Sequence, residues 1–169
     1  MYDMNGMDDD YQTFHGKYRG IVTDNDDPNG LGRVRVKVQD VLGDQESGWA
    51  LPALPYAGDN VGLYLIPPVN AFVWVEFEHG NPDYPIWTGC FWLSGMAVPS
   101  EASGPSIKLL KTDIATITID DDEGSITIEN DSGMKIVMDS EQIEISNGDQ
   151  TVTLSADSVS INDGALEVS

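Results

Sequence analysis

From Ile117 to Val168 the chain repeats one short pattern, two apolar residues flanking a single intervening one, followed by a polar, turn-prone stretch. The triplets are Ile117-Thr118-Ile119, Ile126-Thr127-Ile128, Ile136-Val137-Met138, Ile143-Glu144-Ile145, Val152-Thr153-Leu154, Val159-Ser160-Ile161 and Leu166-Glu167-Val168. Their starts are separated by 9, 10, 7, 9, 7 and 7 residues. Period-two alternation of β-branched residues predicts strands, and the Asp, Asn, Gly and Ser between them predict turns. Each triplet sends two apolar side chains to one face. The other face keeps residues such as Thr118, Thr127, Glu144, Thr153, Ser160 and Glu167.

Strands this short, without aromatic filler, cannot close a core alone. Three chains whose apolar faces meet on a common axis resolve the problem as a triangular prism, an intertwined trimeric β-helix. Seven stacked strands span roughly 30–35 Å. The axis of that rod is expected to be lined by Ile117, Ile119, Ile126, Ile128, Ile136, Met138, Ile143, Ile145, Val152, Leu154, Val159, Ile161, Leu166 and Val168. A monomeric β-sandwich of short strands is one alternative. A single-chain solenoid, with about three triplets per coil, is the other.

Residues 14–92 carry a different alternation. Phe14 to Asp24 is the first expected strand. Arg33 to Gln39 follows, turning Val34, Val36 and Val38 inward and Arg33, Arg35 and Lys37 outward. Trp49 to Leu54 is a short extended segment. A fourth strand after Pro67 and Pro68 places Ala71, Val73, Val75 and Phe77 on one face and Phe72, Trp74, Glu76 and Glu78 on the other, and Pro85 to Trp92 supplies the fifth. Five strands with long Gly/Pro connections suit a small Greek-key barrel of the OB type. Both faces of the fourth strand are apolar, so its outer face needs a cover. The expected fold class is all-β, a five-stranded OB-type barrel followed by the trimeric β-helix, with helix content near zero.

Composition sharpens the division. All 14 aromatic residues fall between Tyr2 and Trp92, and all nine prolines lie at or before Pro105. The Ser-, Gly- and Pro-rich stretch 94–106 reads as a linker. The expected domains are an N-terminal arm (1–13), the barrel (14–93), the linker and the repeat (107–169). Of the net charge of −21, residues 1–99 carry −9 and residues 100–169 carry −12, so the repeat is the more acidic part. Such acidity disfavours phosphate-backbone binding, and no nucleic-acid partner is expected. On the repeat it protects strand edges and keeps the rod soluble.

The remaining chemistry is sparse. No run of 18 apolar residues occurs, and the acidic start lacks the features of a signal peptide. The single cysteine, Cys90, cannot form an intrachain disulfide and reads as a buried small hydrophobe. His15 and His79 do not assemble a zinc cage, and His79 reads as a loop histidine. Asp120 to Glu123 is a solvated turn rather than a calcium loop, whose ligands would alternate. No metal or cofactor is expected. Arg33, Arg35 and Lys37 are expected to pair with acids of a neighbouring subunit.

Four blocks in order, YRGIVTDNDDPNGLGRVRV (18–36), WALP (49–52), PPVNAFVWVEFE (67–78) and GNPDYPIWTG (80–89), carry a resemblance. They resemble the OB domain of central baseplate spikes of contractile phages and related injection systems, including the spike part of VgrG proteins. In that family the barrel trimerises beneath a hub and leads into a three-chain β-helix that pierces membranes. The resemblance implies subunit or hub contacts at Arg33, Arg35, Lys37, Pro67, Pro68, Phe72, Trp74, Glu76, Glu78, Gly80, Pro82, Pro85, Trp87 and Gly89. Some members insert a lysozyme domain where this chain has only its linker, so no muralytic activity is expected. Others hold an iron ion on tip histidines, whereas no histidine follows His79.

The expected protein is therefore a non-enzymatic homotrimeric spike. It would dock on a separate hub chain, accept a PAAR-like tip protein, and transiently meet a target outer membrane or cell wall. Its expected place is a virion tail baseplate or an extracellular contractile particle assembled in the producing cell's cytoplasm. A monomeric OB-type module binding a glycan or single-stranded nucleic acid, with the repeat as an acidic tail, is the alternative.

Overall fold

The computed structural model describes residues 12–168, in two units divided after Met96. The N-terminal arm expected over residues 1–13 lies outside the described residues up to residue 11. Among the described residues the regular structure is almost entirely strand. The first unit contains β1 (Tyr18–Asp24), β2 (Arg35–Lys37), β3 (Leu51–Pro52), β4 (Ala57–Gly58), β5 (Val61–Gly62), β6 (Phe72–Phe77) and β7 (Pro85–Cys90). Its helices are one turn, α1 (Gln39–Leu42), and a 3-10 turn over Glu78–Gly80.

Five of these strands form one sheet in the order β2-β1-β6-β7-β3, antiparallel except where β3 runs parallel to β7. The sheet closes on itself just before β2, where Val34 and Ala50 exchange backbone hydrogen bonds of 3.2 and 2.8 Å. Alternation decides what fills it. Val22, Val34, Val36, Val38, Val73 and Val75 are fully buried, with Ala50, Phe77 and Trp87 completing the core. β6 alternates strictly, with Val73, Val75 and Phe77 inward and Phe72, Trp74 and Glu76 half-buried outward. Gly20 lets β1 cross close to β6, since a Cβ there would meet Val75 Cγ2 at 2.8 Å.

Three details differ from the sequence reading. The first strand begins at Tyr18 rather than Phe14, because Phe14 instead donates its backbone N–H to Gly80 and packs its ring near Tyr18 and Phe77. The second strand yields to α1 at Gln39. Cys90 is exposed, not buried, because β7 ends there after a register shift against β6. Partial desolvation nonetheless raises its thiol pKa.

The second unit is one antiparallel meander of eight strands. They are β8 (Ile107–Lys111), β9 (Ala115–Asp120), β10 (Ser125–Asn130), β11 (Lys135–Met138), β12 (Gln142–Ser146), β13 (Thr151–Ser155), β14 (Val159–Ile161) and β15 (Leu166–Val168). Each pairs with its neighbour in sequence, in a single sheet. A solenoid would pair strands in parallel across coils and a sandwich would need a second sheet, so neither alternative describes this unit. The repeat reading counted seven strands. The eighth, β8, has the sequence IKLLK, which breaks the apolar-x-apolar rule.

The turns have a common chemistry. Asp120, Asn130, Asp139 and Asn147 each accept two backbone N–H groups on the side-chain Oδ1, and Thr112 and Ser155 do the same through their hydroxyls. Such Asx and hydroxyl turns reverse the chain locally without help from a core. The N–H groups of Glu141 and Gln142 also hold the Asp139 carboxyl below the usual range.

Candidate functional site

Register brings the triplets of the second unit into two continuous rows on one face of the sheet. One row runs Ile117, Ile128, Ile136, Ile145, Val152, Ile161, Leu166. The other runs Ile119, Ile126, Met138, Ile143, Leu154, Val159, Val168. β8 extends the first row with Leu110, opposite Ile117, and ends the second with Lys108, opposite Ile119. Strand pairing finds these two residues where the triplet pattern does not. The Lys108 ammonium is drawn to Asp121 and to the carbonyls of Pro105 and Ser106.

These rows are not a core within one chain. Eleven of the fourteen triplet residues are exposed, at 39–64%, and Ile143, Val152 and Ile161 are half-buried. Among the described residues 97–168, Thr116 is the one buried side chain, and it is polar. Covering one isoleucine left about 40% exposed is worth on the order of 1–2 kcal/mol. Eleven such positions in each of the associating chains outweigh an association cost of roughly 4–15 kcal/mol.

On the barrel, the basic strand is satisfied within its own chain. Arg33 pairs with Asp27 of the preceding loop (2.6 Å), and Arg35 pairs with Glu46 (2.8 Å) and Lys37 with Asp44 (3.0 Å) because the segment after α1 returns alongside β2. The expected acids of a neighbouring subunit are thus not required. Arg33 and Arg35 also lie over the Trp49 ring, 5.6 and 5.0 Å from its centroid. Thr23 and Arg35 hold the Glu46 carboxyl below its ordinary value.

Asp27 was not singled out by the sequence. Its side chain is 2% exposed and accepts from Arg33 Nε and Nη2 and from the backbone N–H groups of Asn29, Leu31 and Arg33. Arg33 beside it holds the carboxyl well below the usual carboxylate range. The loop 25–33 is folded around this fork.

The other family-block residues divide between interior and surface. Trp87 is buried, its Nε1 donating to Gly32 O at 3.2 Å, and Pro67, Gly80 and Pro85 are buried as well. Pro82 is half-buried in the β6–β7 turn, Gly89 is half-buried on β7, and Pro68 and Glu78 are exposed. Glu76 meets Lys17 (2.8 Å) on the outer face. There Trp74 stacks on Phe91, with ring centroids 4.4 Å apart, and Phe72 lies 5.8 Å from the same ring. Among the described residues no group of three or more His, Cys, Asp or Glu is placed to hold a metal ion, and no helix is long and apolar enough to cross a membrane.

Residues 18–92 match a type VI secretion system/phage-baseplate injector OB domain, and residues 106–167 match a phage baseplate V C-terminal trimerisation domain. The chain belongs to the phage-baseplate injector spike family. Among relatives of this chain are two type VI secretion system spike proteins of Pseudomonas aeruginosa. VgrG4b is 38% identical over 74 residues, covering 41% of this chain and 9% of that protein. VgrG5 is 40% identical over 86 residues, covering 47% and 11%. The chain thus spans about a tenth of the length of these curated relatives. Apart from Val168, the two unpartnered rows lie within the residues matched by the trimerisation domain, and the closed five-stranded sheet lies within those matched by the OB domain.

Proposed function

We propose that this chain is the non-enzymatic central spike of a contractile injection machine. The observation that carries the reading is the pair of apolar rows, which a trimerisation domain leaves open in the single chain. Three copies would turn these faces onto a shared axis as an intertwined prism, with the eight strands of each chain stacked along about 34 Å. The fourteen row residues would form a dry interior, and the acidic turns the outer coat. Dense interstrand hydrogen bonding resists compression, so force from a contracting sheath is delivered to the target envelope mechanically.

In this reading the domains are an N-terminal arm (1–13), the barrel (14–93), a linker (94–106) and the needle (107–169). The barrel docks on a separate hub chain, and the surface members of the family blocks meet either the hub or a neighbouring subunit. The needle apex receives a PAAR-like tip protein and meets an outer membrane or cell wall only on firing. The particle is a virion baseplate or an extracellular injection device assembled in the producing cell's cytoplasm. Sedimentation or mass photometry of the purified chain at micromolar concentration tests the core of the reading. A species of three times 18.4 kDa is expected, and a stable single chain would refute it.

A further inference from the structure

The barrel carries two exposed apolar features that its own fold leaves unused. The first is the β4–β5 hairpin with its flanks. Tyr56 is 60% and Tyr64 64% exposed, and Val61, Leu63 and Leu65 are exposed beside them. Between Pro55 and Ile66 the one charged residue is Asp59. The hairpin is held by its own ladder and by Leu63 N–H donating to Tyr56 O, while Leu54 and Ile66 at its base pack against the core. It therefore presents side chains outward from an anchored root.

The second feature is a hollow of about 380 Å³ lined by Pro68, Val69, Phe72, Phe91, Trp92 and Met96. Exposed Cys90 stands on its wall. Neither feature carries a charge pair that would have to be stripped of water, so bringing them together gains apolar burial at little polar cost. Exposed apolar patches of this kind mark protein–protein contacts.

Symmetry selects the occupant. A closed ring of three identical chains uses head-to-tail contacts, in which each copy offers one patch and receives a different one. A hairpin and a hollow on the same barrel are such a pair. Resting on the homotrimer reading above, we propose that the β4–β5 hairpin of each barrel seats in the Phe72–Trp92 hollow of the next copy, closing a ring of three barrels. The ring would be continuous with the trimerisation domain that follows in the same chain. It also supplies a cover for Phe72 and Phe91 on the barrel's outer face.

Cys90 makes the contact testable in the full-length chain. Tyr64→Cys, and separately Val61→Cys, places a second thiol on the hairpin, and copper phenanthroline oxidises the pair. On a non-reducing denaturing gel the expected result is a ladder of dimer and trimer that ends at trimer. It should collapse with reductant and with an added Cys90→Ser, and be missing from the parent chain. Monomer bands from both variants, in a preparation that sediments as a trimer, would overturn the ring contact and leave the homotrimer standing. A preparation that sediments as single chains would overturn both. A fast-migrating intrachain product, a ladder stopping at dimer, or Cys90-to-Cys90 linkage in the parent chain would also overturn it, since each places the hollow against something other than the next copy's hairpin.

Discussion

Asp27 closely follows Asp24, Asn25 and Asp26 in the chain, and no pattern in the sequence distinguishes it from them. Only the fold brings the Arg33 fork and three backbone N–H groups onto that one carboxylate. Its pKa is depressed in the folded state, so the stability it contributes is fully present above the unfolded value of about 3.9. That contribution declines as pH falls below this value toward the folded pKa. Asp27→Asn is therefore expected to lower the barrel's melting temperature at pH 7, and the gap between variant and parent should narrow steadily below about pH 4. Thermal melts followed by tryptophan fluorescence at several pH values check this. A gap that stays constant down to pH 2 would contradict the role assigned to the carboxylate. Arg33, by contrast, was legible as an outward-facing base, while its partner was not. Alternation fixes which way a side chain points but not which of several nearby carboxylates turns toward it.

At the scale of the element, the triplets were readable because each strand needs only two apolar side chains on one face. β8 escaped that reading. Its sequence places Leu109 away from the apolar face and Lys108 on it, so only its register against β9 shows that Leu110 continues a row. The rows make a sharp prediction for Ile145, which stands opposite Ile136 and Val152 in the middle of the sheet. Ile145→Asp would place a carboxylate from every copy on the proposed axis, where an unpaired buried charge costs several kcal/mol per ion. Trimer should be lost at micromolar concentration. The barrel should stay folded, and the four tryptophans report it selectively because all lie between Trp49 and Trp92. An unchanged sedimenting mass would remove Ile145 from the axis; a collapsed tryptophan spectrum would mean that the barrel depends on the needle.

For the whole molecule, charge and assembly act against each other. Residues 100–169 carry 15 acids and three bases, so assembling three copies concentrates like charge along one rod. Repulsion between exposed carboxylates is screened over about 10 Å at 0.1 M salt and over about 30 Å at 0.01 M. Raising sodium chloride from 10 to 200 mM is thus expected to lower the protein concentration at which the trimer half-dissociates, read by sedimentation across a dilution series. A half-dissociation concentration that rises with salt would indicate that interchain ion pairs, not apolar rows, hold the assembly.

The sequence by itself determined the class of structure, the division near residue 95, the inward valines of the barrel and the apolar face of the repeat. Each of these follows from period-two alternation, turn chemistry and composition, which are local. The ordered family blocks likewise carry the spike resemblance in the sequence alone. Tertiary structure alone decided that β3 pairs parallel to β7, that the barrel closes through Val34 and Ala50, that the bases are paired within the chain, and that Cys90 is exposed. It also showed that the rows stay uncovered in one chain and that a hairpin and a hollow face solvent on the barrel. Those features depend on which segments the chain folds against one another, where register and loop closure select among arrangements that local patterning leaves equivalent.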